Sequence, residues 1–206
     1  MRKGEETRAR VMDIAEAAIL AKGYGATSIE EIIEEAGITK SGFFYHFPDK
    51  RALARALLDR YVEREDAFFD DLFQRAEELH EDPLHAFLIG LKLFSEMMAD
   101  LPTGHPGCLI ATYCYNERLF DREFQEISRE AMLSWRRRFR AMLERIANRY
   151  DLQDDIDLDH LADMVSCSVE GAIIAAKTLK DPQVLPQQIL MLRSYIKLLF
   201  RPRMNA

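Results

Sequence analysis

Apolar residues return at intervals of three and four along nearly the whole chain, and a segment with that period can bury one side only as a helix. Val11, Ile14, Ala15, Ala18 and Ile19 stand at i, i+3, i+4, i+7 and i+8, and their stripe ends at Lys22-Gly23, where glycine can turn the chain out of a helix. Thr27-Ser28 then offers N-cap hydroxyls, with Glu30 and Glu31 placed to complete a capping box ahead of Ile29, Ile32, Ile33 and Ala36. Gly37 stops this second, short helix. Thr39 caps a third, through Lys40, Ser41, Gly42, Phe43, Phe44, Tyr45 and His46, until Phe47-Pro48-Asp49 interrupts and Asp49 caps a fourth.

Beyond that point the helices lengthen. Leu53, Leu57, Tyr61, Phe68, Leu72, Ala76 and Leu79 fit one helix reaching about His80, before Asp82-Pro83 breaks it. Further helices are expected at Leu84–Ala99, Cys108–Leu119, Asp121–Arg149, Asp157–Lys180 and Gln187–Phe200, parted by Pro- and Gly-containing turns. No β-alternating run of useful length interrupts them, so the expectation is an all-α protein of about nine helices. No apolar stretch approaches the roughly 18–20 residues of a membrane span, and the charged opening segment has no apolar core of an export signal behind it. Cys108, Cys114 and Cys167 are too few and too scattered for a disulfide framework or a zinc motif. These features predict a cytoplasmic protein without membrane association, bound metal or cofactor.

The short helices carry chemistry. A glycine-terminated helix of two turns, a turn, and a capped helix with polar and aromatic residues at its start form a helix-turn-helix pattern, whose second helix can enter a major groove. The net charge of −7 opposes indiscriminate nucleic-acid binding. Residues 1–51 are nearly balanced, however, with eight Lys/Arg against nine Asp/Glu, and Lys40, Lys50 and Arg51 face only Asp49 over 37–51. Thr39, Lys40 and Ser41 fall at the start of the third helix, where N–H groups favour phosphate and side chains reach backbone or bases. Tyr45 and His46 follow a turn later, while Phe43 and Phe47 share the inward face and pack on Ile32 and Ile33.

Gly23-Tyr24, Thr27-Ser28-Ile29-Glu30-Glu31-Ile32 and the run Ala36-Gly37-Ile38-Thr39-Lys40-Ser41-Gly42-Phe43-Phe44-Tyr45-His46-Phe47-Pro48-Asp49-Lys50 resemble the DNA-binding segment of TetR-family transcriptional regulators. The resemblance implies a helix-turn-helix DNA-binding domain over 1–48, a ligand-sensing and dimerisation domain over 49–206, and a homodimer built on the last two helices. Carried over by position, it implies that Thr27, Ser28 and Lys50 approach the sugar-phosphate backbone. Thr39, Lys40, Ser41, Tyr45 and His46 then form the groove-facing set, with Lys40 the principal charge contact, and Phe44 stands at a DNA-binding position where its missing hydroxyl removes one phosphate contact. Two departures stand out: Phe44 replaces the usual tyrosine, and Ser41-Gly42 reverses the common order of small residues. Gly42 inside a short helix costs up to about 1 kcal/mol relative to alanine.

The last two predicted helices are apolar on more than one face. Leu161, Val165, Val169 and Ile173, with Ile189, Leu192, Ile196 and Leu199, are expected to form a twofold four-helix interface, while Met191, Tyr195 and Leu198 make a second stripe. Phe94, Met97 and Met98, Tyr113 and Asn116, and Met132 and Trp135 supply apolar walls with a few polar groups, suited to an apolar or aromatic small-molecule effector. The alternative for these residues is plain core packing. Gly107-Cys108-Leu109 opening a helix resembles a segment of family members that sense electrophiles or oxidants, and Lys177 falls in a recurring family pattern. That resemblance implies a redox-gated variant, against the simpler reading of an unreactive buried cysteine. Arg136, Arg137, Arg138 and Arg140 read as a solvated helix face. With no diagnostic catalytic grouping, the sequence points to a non-enzymatic regulator, a repressor released from a palindromic double-stranded operator by a small molecule. The rival is a helical small-molecule-binding protein or enzyme.

Overall fold

A computed structural model describes residues 3–115 and 122–202. Among them the helices are α1 (Lys3–Lys22), α2 (Ile29–Ala36), α3 (Lys40–His46), α4 (Lys50–Leu79), α5 (Pro83–Ala99), α6 (Leu109–Cys114), α7 (Arg122–Ala147), α8 (Leu158–Leu179) and α9 (Val184–Leu199). Two three-residue strands, β1 (Tyr150–Leu152) and β2 (Phe200–Pro202), pair antiparallel with Leu152 opposite Phe200. The fold is all-α apart from this clip, which no alternating sequence pattern announces. The segment between α6 and α7, including Asn116, lies outside the described residues.

Two compact units emerge. The first runs up to Arg64 and takes in Pro106–Ala131; the second joins Glu65–His105 to Met132 and the residues after it. Compactness therefore divides the chain inside α4 and inside α7, while the functional boundary expected from sequence falls between residues 48 and 49.

In the first unit α1 packs on α2 and α6, and α2 on α3. Val11, Ala15, Ile19, Ile32, Phe43, Phe47, Leu53 and Leu57 make the core, so the inward roles expected of Phe43 and Phe47 hold. The N-terminal half of α4 is tied to α1 by charge. Arg60 donates to Asp13 and Glu16 at 2.7 Å each, and Arg64 to the other Glu16 oxygen at 2.7 Å. Glu16 is buried, and two guanidinium partners make its burial tolerable.

In the second unit α5 and α8 both pack on α9. Gly90 of α5 permits a close approach to α4, since a Cβ there would stand 2.4 Å from the Phe73 ring. Pro186 was expected to precede the last helix but lies buried in its first turn, where a missing N–H costs no helical hydrogen bond. Its carbonyl accepts from the Ser95 hydroxyl at 3.0 Å.

Of the arginines expected on a solvated face of α7, Arg137 is exposed, while Arg136, Arg138 and Arg140 are part-exposed and ion-paired to neighbouring helices. Arg136 reaches Asp163 of α8 at 2.7 and 2.6 Å, and Arg140 reaches Asp159 of α8 at 2.7 Å. On the other side Arg138 pairs with Asp66 and Asp70 of α4, and Arg145 with Glu77. Helical periodicity shows that these arginines lie off the apolar stripe. It is blind to the carboxylates that neighbouring helices bring to them.

Candidate nucleic-acid interface

The turn between α2 and α3 follows from three residues. Gly37 takes φ +62°, the left-handed conformation that ends α2, and its N–H bonds back to Glu34 O at 3.1 Å. Thr39 then leaves the chain extended and its Oγ1 accepts from Gly42 N–H at 3.1 Å, capping α3. A Cβ on Gly42 would sit 3.3 Å from that same Oγ1, so the glycine makes room for the cap. The reversed order Ser41-Gly42 thereby has a local reason, and Ser41 Oγ joins the cap hydroxyl at 3.1 Å.

Inside, Phe43 lies edge-on to Phe44 and tilted against Phe47, and Arg8 of α1 stands 5.0 Å over the Phe47 ring. Outside, the opposite face of α3 presents Lys40, Ser41, Phe44 and Tyr45 to solvent. Tyr45 is 83% exposed. A seven-residue helix that buries Phe43, with buried Phe47 as its C-cap, and opens Phe44 and Tyr45 beside an exposed lysine and serine matches what a major-groove reader requires.

The structure places other expected contact residues differently. Thr27 is buried and its hydroxyl donates to Gly23 O at 3.0 Å, so the side chain serves the turn after α1. Ser28 alone caps α2, accepting from Glu31 N–H at 3.1 Å, and remains exposed. The capping box is half-formed because the Glu31 carboxylate turns to Lys22 at 2.5 Å. His46 is half-buried against Tyr45 and Phe47. Lys50 turns inward, its Nζ donating to Tyr24 O at 2.5 Å and standing 4.1 Å over the Tyr24 ring. Burial lowers the Lys50 ammonium below its ordinary pKa.

The expected effector-site residues separate between the two units. Tyr113 belongs to the first, where it is buried core: its hydroxyl donates to Ala54 O at 3.3 Å and its ring meets Tyr24 and Phe124 edge-on. Burial pushes its phenol far above the ordinary value. Phe94, Met97, Met98, Met132 and Trp135 belong to the second. There Phe94 packs on Phe68 and Phe69, and Phe69 on Phe139, an aromatic cluster that sequence reasoning missed apart from Phe94. The adjacent Phe68-Phe69 pair on one periodic helix was its only signal.

Cys108 is half-buried and its Sγ accepts from Ala111 N–H at 3.5 Å as N-cap of α6, in the first unit; Lys177 is exposed on α8, in the second. The residues expected at the twofold interface are largely core of the single chain. Leu161, Val165, Ile173, Ile189, Leu192, Ile196 and Leu199 are buried and Val169 half-buried. The open apolar face is the other one: Ile174 and Leu179 on α8, Met191, Tyr195 and Leu198 on α9, with Leu198 74% exposed. No described helix is long and apolar enough to cross a membrane, and no described group of acidic, histidine or cysteine side chains is arranged to hold a metal.

A capped helix-turn-helix with an open recognition face, in a chain that also forms a second helical unit, defines a DNA-binding regulator. Residues 11–57 match the N-terminal model of the bacterial tetR regulatory proteins, and residues 91–190 match a tetracyclin repressor-like C-terminal domain. The chain is 25% identical over 194 residues to the HTH-type transcriptional regulator EthR of Mycolicibacterium smegmatis, covering 94% of this chain and 85% of that one. It is 27% identical over 174 residues to the HTH-type transcriptional regulator TtgR of Pseudomonas putida, covering 83% and 80%. A TetR transcriptional regulator from Chloroflexus aurantiacus superposes with a TM-score of 0.79 at 28% identity, over 98% of this chain and 100% of the other. The chain belongs to the TetR family and is a DNA-binding helix-turn-helix transcriptional regulator.

Proposed function

We propose that the chain acts in the cytoplasm as a homodimeric repressor that binds a palindromic operator and leaves it when a small molecule binds the second unit. The exposed face of α3 carries this reading: Lys40, Ser41, Phe44 and Tyr45 are open while Phe43 and Phe47 behind them are buried. Ser28 and the Thr39 cap serve the phosphate backbone, Lys40 supplies the charge contact, and Tyr45 meets a thymine methyl or a phosphate. Thr27, His46 and Lys50 position the reading head and do not contact DNA through their side chains. Phe44 has no hydroxyl to offer a phosphate and contributes apolar contact.

The functional division at 48/49 separates reader from sensor and puts α4 at the start of the sensor, although its residues up to Arg64 belong to the first compact unit. The twofold contact uses the open face of α8 and α9, and it sets two α3 helices one helical turn apart, roughly 34–36 Å, to fit successive major grooves. Effector binding favours a dimer that no longer spans both half-sites, so effector and operator each weaken the other's binding. Selection of bound fragments from random duplex DNA, followed by footprinting, is expected to return a symmetric protected sequence, and a compound library is expected to contain molecules that release it. Asymmetric or absent protection overturns the assignment.

A further inference from the structure

Trp135 is the single tryptophan of the chain, sits on α7 in the second unit, and is only 9% exposed. Its Nε1–H is buried with no hydrogen-bond partner. Two other buried side-chain nitrogens share that condition among the described residues, Nε of Arg60 and of Arg138, yet each belongs to a guanidinium whose remaining nitrogens are in ion pairs. The indole has one polar atom, and that atom is unmatched. Buried donors in folded proteins are nearly always satisfied, and the described residues offer this one no acceptor.

Its surroundings along α7 define the kind of molecule. Met132, Trp135 and Phe139 stand at i, i+3 and i+7 on one helix face. Met132 at one end is 40% exposed, while Phe139 at the other closes against Phe69, itself packed on Phe94. A thioether and edge-to-face rings favour a flat π-system. Of the arginines next to it on α7, Arg136 is matched by Asp163 and Arg138 by Asp66 and Asp70, and Arg137 is exposed. A carboxylate or ammonium ligand would enter without a counter-ion.

We propose that the effector is an uncharged aromatic compound bearing a hydrogen-bond acceptor, which it presents to the Trp135 Nε1–H. The proposal rests on the effector-responsive reading above and specifies its ligand class. Acetophenone, isopropylbenzene and benzoate are three probes of nearly one shape that differ in acceptor and charge.

With the full-length 15N-labelled protein, the one indole N–H resonance is expected to move downfield on titration with acetophenone and not with isopropylbenzene. By calorimetry, Trp135→Phe is expected to weaken acetophenone about tenfold, the value of one hydrogen bond, while changing isopropylbenzene far less. Benzoate is expected to bind at least about tenfold more weakly than acetophenone to the unaltered protein. A purely structural tryptophan would shift both neutral probes alike when replaced. Equal losses for the two, an indole resonance indifferent to the carbonyl, preference for benzoate, or no binding of either neutral probe each overturns the proposal. Library compounds that release operator DNA equally from the Trp135→Phe protein would remove this ligand assignment and leave effector control standing; absence of any releasing compound would remove effector control itself.

Discussion

Two lysines ten residues apart show how far side-chain identity and side-chain role diverge. Lys40 and Lys50 are indistinguishable as charges in the sequence, but one opens α3 to solvent and the other is folded over Tyr24. Each phosphate contact contributes close to one counterion to the salt dependence of binding, so Lys40→Ala, which removes one contact from each subunit of the dimer, is expected to lower the slope of log K against log salt by about two. Lys50→Met should leave that slope unchanged and lower the melting temperature, because it removes the hydrogen bond to Tyr24 O. Titration of both variants against one operator at several salt concentrations separates the roles, and a reduced slope for Lys50→Met would return that residue to the interface. Gly90 gives a second test at this scale. A methyl group there would overlap the Phe73 ring, and Gly90→Ala is expected to destabilise the protein by about 1–3 kcal/mol in chemical denaturation despite alanine's better helix propensity. Neither the inward lysine nor the tight glycine is visible in the sequence, because both depend on a partner brought from another helix.

Helices were the legible level. Stripes, caps and breakers placed the described helices within a few residues of their expected bounds except α6, which ends at Cys114 where the expectation ran to Leu119, and Asp49, Asp82 and Asp157 each hold an N-terminus through a carboxylate oxygen. What the pattern concealed was how helices are fastened to one another. Asp82 illustrates this: besides capping α5 through Leu84 and His85 N–H, it accepts from the Tyr150 hydroxyl at 3.0 Å, joining α5 to β1. Burial pushes its carboxyl up, but hydrogen bonds from the His85 side chain and backbone and from Tyr150 outweigh that and leave it below the ordinary 3.8. A carboxylate whose folded pKa is depressed contributes stability above its unfolded pKa and loses it as pH falls through the folded value. Asp82→Ala is therefore expected to cost about 1 kcal/mol near neutrality, with the gap to the unaltered protein narrowing below about pH 3.8 in urea denaturation. A gap independent of pH would mean that the charge is irrelevant to the cap. The β1–β2 clip escaped because three residues are too few to display a period.

For the whole molecule the decisive ambiguity lay in the last two helices. Each is apolar on more than one face, and periodicity does not rank those faces; the expected interface took the stripe of Ile189, Leu192, Ile196 and Leu199 on the last helix. Packing of α5 and α8 on α9 takes that stripe into the single chain and leaves Met191, Tyr195 and Leu198 outside, with Met191 63% exposed. This much apolar surface open on two helices joined by one short turn is the basis for proposing that this face meets a second copy. The two faces make opposite predictions. Leu198→Glu combined with Met191→Glu is expected to leave helix content and melting nearly intact while shifting sedimentation toward monomer. Leu192→Glu buries an unpaired charge in the core and is expected to unfold the protein. Two linked reading heads gain about 10²–10⁴-fold over one through effective concentration, so the soluble monomer is expected to lose operator affinity on that order while keeping weak half-site binding. If instead the doubly substituted protein remains a dimer with full operator affinity, the open stripe has another partner, and the pairing of two α3 helices across one turn of duplex must come from elsewhere in the chain.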